Sequence, residues 1–177
     1  MNTPYSRRIY AAVRWRAGLF AGLAGGVAEV ILIGLYAGLS GGSAAAVATG
    51  ITNSVLPLAT TVPTAILIGL FIHFVLACLL GLGIAVAVSI VAPRFAGTWA
   101  GTGSILLMLA VVWAINFLVI LPVVNPGFVH IVPMAVSFTS KLLFGLAAAL
   151  VFTAENNRNL RLTKSLNRYT SEEICHV

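Results

Sequence analysis

Charge is what this chain has least of. Only 8% of its 177 residues are charged, and the four acidic ones are all glutamate. Soluble domains carry about 25% charged residues, so an ordinary water-soluble domain is excluded. Cysteine is nearly absent. Cys78 falls inside an apolar run and Cys175 near the C-terminus, a separation in depth and compartment that argues against a disulfide. No CxxC, HExxH or Cys/His cluster occurs, so no zinc centre or other metal site is expected. Neither a catalytic triad nor a phosphate-binding loop is present, and the reading is of a protein that is not an enzyme.

Apolar residues are what it has in quantity, at 60% of the chain with a mean hydropathy of +1.06. A hydrocarbon core of ~30 Å is crossed by about 20 apolar residues in a helix. Four such runs fill residues 15–39, 64–92, 99–121 and 128–153. The expected fold class is therefore all-α, an integral membrane four-helix bundle, with no room for a separate soluble domain. Trp15 and Trp99 stand at the starts of the first and third runs, where amphipathic rings favour the headgroup layer.

The basic residues then orient the bundle. Arg7, Arg8, Arg14 and Arg16 precede the first run, Arg94 lies between the second and third, and Arg158, Arg161, Lys164 and Arg168 follow the fourth. The other two links have none. This is the positive-inside distribution for an even number of spans, with both termini cytoplasmic in a cytoplasmic (inner) membrane. Residues 1–14 form a basic N-terminus and 154–177 a cytoplasmic tail able to continue as a surface helix. The net charge of +6 thus reflects topology and calls for no nucleic-acid partner. A basic start followed by an apolar run also suggests a signal peptide, but Ala17 to Leu39 is longer than a signal h-region of ~7–15 residues and contains Glu29.

The links differ. Arg94-Phe95-Ala96-Gly97 reads as a short cytoplasmic connection, while Pro122 and Asn125-Pro126-Gly127 read as a tight outer turn. The remaining outer link, 40–63, is uncharged and rich in small residues. Val47, Ile51 and Val55 recur every four residues there, with Thr49, Thr52, Asn53 and Ser54 between, which predicts a short interfacial or re-entrant helix.

Each span holds one strongly polar residue: Glu29, His73, Asn116 and Lys141. Polar and ionisable groups in lipid are expensive and mark candidate functional sites. Three of them adjoin rows of small residues that let helices approach closely. These packing rows are Gly18, Gly22 and Gly26 on the first span; Gly69, Ala77 and Gly81 with Ala65 on the second; and Gly145 with Ser137 and Ala149 on the fourth. Counting from the flanking charges at ~1.5 Å per residue sorts the polar groups into two layers. Glu29 and Lys141 share the lower layer as an intramembrane ion pair; His73 and Asn116 share the upper as a hydrogen-bonded pair or a ligand contact. His130, just after the outer turn, is assigned to the interface. The aromatic residues Phe71, Phe74, Trp113, Phe117, Phe138 and Phe144 are assigned to lipid-facing packing.

The leading functional expectation is a non-catalytic accessory or scaffolding subunit of a larger membrane complex, respiratory complexes included. Its partners are the lipid bilayer and other membrane subunits or further copies of itself. The alternatives are a small proton- or ion-linked transporter or channel lined by Glu29, Lys141 and His73, and a membrane subunit holding quinone or haem. No cofactor is required by the sequence.

Overall fold

The computed structural model describes residues 4–56, 62–91 and 98–174, with the side chains of 15–56, 63–90, 98–162 and 164–165. Every element in this set is helical. In chain order they are α1 Pro4–Ser40, α2 Ala44–Val55, α3 Val62–Val91, α4 Trp99–Ile115, a π-helical turn Asn116–Ile120, α5 Leu121–Val124, α6 Phe128–Ile131 and α7 Met134–Ile174. Four helical stretches are long and apolar enough to cross a membrane: Trp15–Ser40, Pro63–Ile90, Trp99–Val124 and Met134–Leu162. The expected link at Arg94–Gly97, Pro57 and Cys175 lie outside the described residues.

Local chemistry sets the helix ends. Ser40 is followed by Gly41 at φ +73°, a left-handed conformation that glycine adopts without a Cβ clash and that stops α1. Ser43 then caps α2 by accepting from the Ala46 amide, and Thr98 caps α4 by accepting from the Gly101 amide.

The third span continues past its expected end at residue 121, because Pro122 sits inside helix rather than in a link. Proline has no amide to donate to a carbonyl four residues back, and its ring crowds that carbonyl. The chain accommodates it with a wider turn, in which the Leu121 amide bonds the Asn116 carbonyl. The fourth span begins later than residue 128. Phe128–Ile131 is a separate short helix, and α7 starts beyond Pro133, whose carbonyl receives the Ser137 amide.

The helices do not form a symmetrical square. α1 lies between α3 and α7, α4 packs on α7, and α3 and α4 meet only briefly. All neighbours are antiparallel, so the start of α1 and the end of α7 share one end of the bundle, called the basic end below. At that half the four spans close on one core: Ala21, Ala77, Ile84, Ile105, Leu109, Phe144, Ala148 and Ala149. Toward the other, distal end, α2 occupies the space between α3 and the 125–131 turn. The outward faces stay apolar, with Phe20, Phe71, Ile90 and Leu150 each more than 60% exposed.

Candidate functional site

Glycine contacts fix the register that positions the polar groups. A Cβ on Gly18 would meet the Leu82 backbone at 3.1 Å, on Gly22 the Cys78 Cα at 2.7 Å, and on Gly26 the Phe74 ring at 3.3 Å. Each four-residue step along α1 thus matches a four-residue step back along α3. The same row of α3 serves a second helix further on. Gly81 and Ala77 lie against α1, whereas Gly69 lies against the Ala48 backbone and Ala65 receives the Thr52 hydroxyl, both of α2. On the opposite flank of α1, Gly25 admits the buried Phe144 ring of α7, 2.6 Å from where a Cβ would stand. Gly145 does not face α1; it receives Leu106 and Leu109 of α4.

One turn beyond Gly25, Lys141 Nζ and Glu29 Oε1 approach to 2.7 Å. Glu29 is buried at 6% residue exposure, and the Lys141 ammonium lies 5.4 Å from the centre of the Phe144 ring. Ring and carboxylate together give the ammonium two favourable neighbours in an otherwise apolar setting.

His73 and Asn116 do not pair. His73 Nε2 lies 3.1 Å from the Gly26 carbonyl, which can only accept, so the ring proton is on Nε2. His73 is therefore level with Gly26, about one turn from Glu29 and not ~10–12 Å above it. The two-layer arrangement assumed that Arg94 and Arg16 mark the same plane. In the observed register Ile90 of α3 falls opposite about Tyr10 of α1, so α3 runs well beyond the level of Arg16 and residues counted back from its end are placed too high. Asn116 belongs to the distal half: Trp113, one turn before it, donates to Ser137 Oγ at 3.1 Å. That puts Asn116 level with the start of α7, roughly 13 Å from His73 along the bundle axis. Its amide is exposed, between exposed Ile115, Leu118 and Val119, and makes no hydrogen bond among the described residues.

The polar contacts that the sequence reading missed lie in the outer link. Thr52 is fully buried and bonds the Ala65 carbonyl. Asn125 Nδ2 donates to the Gly50 carbonyl at 3.2 Å and to Ser54 Oγ at 3.0 Å, pinning α2 from its other side. The Thr/Asn/Ser interleaving of 49–54 signals a packed helix, but nothing in it names Ala65 or Asn125 as partners. Asn53 Oδ1 is buried without a hydrogen-bond partner among the described residues, beside an open groove bounded by Ser43, Thr49 and Asn125. His130 is exposed on α6 at the distal end.

The aromatic residues divide against the expectation of lipid-facing packing. Phe71 is 70% exposed, but Phe117 and Phe144 are buried at 3% and 0%. Trp113 stacks on Phe117 and meets Phe138 edge-on, with ring centres 5.7 and 4.9 Å apart. These rings fill the distal part of the α4–α7 seam, beyond the point where Gly145 receives Leu106 and Leu109.

Among the described residues no group of three His, Cys, Asp or Glu side chains comes together. No protein-family model, curated protein or solved structure matches the chain.

Proposed function

We propose that this is a multi-pass protein of the cytoplasmic membrane, with both termini cytoplasmic, serving as a non-catalytic accessory or scaffolding subunit. Asn116 carries the reading. Three other polar side chains of the spans are matched within the chain: Glu29 by Lys141, His73 by Gly26, Trp113 by Ser137. Even the exposed hydroxyls of Ser104 and Thr139 fold back onto carbonyls of their own helices. Asn116, by contrast, lies exposed on an apolar surface, where lipid tails cannot bond the donors and acceptor of its carboxamide. An asparagine so placed favours an interhelical hydrogen bond with another membrane helix. The π-helical turn that begins at Asn116 supports the same surface as a functional one, since such turns recur at functional sites.

The test is purification from native membranes under mild detergent, with identification of what co-purifies. A stoichiometric partner, or a second copy of the chain, is expected with wild type and reduced with Asn116→Leu. A wild-type protein that purifies as a lone monomer and catalyses ion flux in liposomes overturns the reading in favour of transport.

A further inference from the structure

We infer that the basic end of α7 carries a binding site for the phosphate group of an anionic phospholipid, built on Arg158 and Arg161. The inference rests on membrane insertion but not on the accessory-subunit reading. An open groove of about 480 Å³ lies here, bounded by Ala154, Asn157, Arg158, Arg161 and Leu162. Both arginines are exposed and neither forms an ion pair among the described residues. They stand three residues apart on one helical face, so both guanidinium groups can converge on a single anion. Arginine presents a planar fork that matches phosphate oxygens two at a time.

Position selects lipid over a soluble anion. Taking the Glu29–Lys141 pair as the bundle's middle, Arg158 and Arg161 lie about 25 and 30 Å along α7 at ~1.5 Å per residue. The headgroup layer of a bilayer ends roughly 20–22 Å from its midplane. Arg158 is then about 3–5 Å and Arg161 about 8–10 Å beyond that layer, the second at the limit of a Debye length of ~8–10 Å, and their flexible stems can reach back toward it. Lys164, at about 35 Å, is beyond that distance. Leu160 and Leu162 are 62% and 54% exposed beside these charges. Exposed Arg16, which the α1–α7 register places level with Ala154, adds positive charge on the neighbouring helix. Glu155 is the described acidic residue at this level, and it leaves the balance positive.

The experiment is native mass spectrometry of the full chain in neutral detergent, titrated with phosphatidylglycerol or with phosphatidylcholine of the same acyl chains. Wild type is expected to retain phosphatidylglycerol preferentially. Each arginine near a membrane surface contributes enough for about a fivefold effect, so Arg158→Gln with Arg161→Gln should weaken retention about 25-fold. Replacing both by lysine should keep part of the preference, because charge remains and the fork is lost. Circular dichroism shows whether each variant folds; both positions are exposed, so helix content should not change. Equal retention of the two lipids, or a preference that survives the double glutamine variant, overturns the proposal. Displacement of the lipid by millimolar inorganic phosphate, or by a polyglutamate peptide, reassigns the groove to a soluble anion or an acidic protein segment and also overturns it. A chain that does not enter phosphatidylcholine vesicles fails the membrane reading, whereas one that enters but shows no lipid preference fails this inference alone.

Discussion

Lys141 Nζ and Glu29 Oε1 stand 2.7 Å apart, yet the two side chains are unequally enclosed, at 21% and 8% exposure. The carboxylate is sealed between α1 and α7 while the lysine stem still reaches the edge of the seam. Each charge neutralises the other in an apolar seam where neither is stable alone, and the pair links the two helices that organise the bundle.

Removing either member of that pair leaves one buried charge without a partner. Such a loss typically costs ~3–5 kcal/mol, whereas removing both is often close to neutral. Glu29→Gln and Lys141→Met should each lower the thermal unfolding midpoint in detergent, with Lys141→Met the more damaging because it strands the sealed carboxylate, whereas a stranded lysine can snorkel from the edge of the seam. The double variant should regain much of the loss. Strictly additive losses would show that the contact contributes nothing.

The glycines divide into tight and open positions, and substitutions should follow that division. Gly22 lies against the Ala77 and Cys78 backbone, which cannot move aside as a side-chain tip can, while Gly34 has nothing within 4 Å. Gly22→Leu should separate α1 from α3 and cost at least the ~1–3 kcal/mol typical of overpacking. Gly34→Leu should leave the isolated protein as stable as wild type. Equal unfolding midpoints for the two variants would contradict the α1–α3 register.

The helix α2 is held by Thr52 on one side and Asn125 on the other. Thr52→Val keeps the shape and removes the hydroxyl, and a bond of this kind contributes about 1 kcal/mol. Hydrogen–deuterium exchange over residues 44–55 should accelerate in Thr52→Val and in Asn125→Ala, and further in the double variant, while exchange at the α1–α7 seam stays slow. Unchanged exchange over α2 would mean that other contacts hold it.

Topology is open to labelling at two exposed sites on opposite ends of the bundle. Val55 and Leu160 are 54% and 62% exposed. In a background with Cys78→Ala and Cys175→Ser, Val55→Cys should react with an impermeant maleimide added outside cells, and Leu160→Cys only after permeabilisation. Reaction of both from the same side would refute an arrangement with both termini cytoplasmic.

Much of the helical plan is legible in the chain because it depends on local quantities. Four apolar runs long enough to cross a bilayer, a capped fifth helix foreshadowed by Val47, Ile51 and Val55, and the Gly18/Gly22/Gly26 row are properties of single segments. Glu29 and Lys141 could be matched because they are the one acidic and the one basic residue lying well inside the apolar runs rather than at their ends. His73 could not be placed the same way. Its level depends on how far α3 slides along α1, and that offset is set by the meeting of Gly22 and Gly81 backbones rather than by any residue near His73.

The sequence by itself determined an all-helical, four-span chain with a strongly basic end, because length, hydropathy and charge position act segment by segment. Only the tertiary structure decided which faces meet. One small-residue row on α3 was divided between α1 and α2, Phe144 was drawn inside by the gap at Gly25, and Asn116 was left on the surface because α4 packs on α7 through Trp113 and Gly145 instead of on α3. Those choices are made by shape complementarity between distant segments, which no periodicity within one helix encodes.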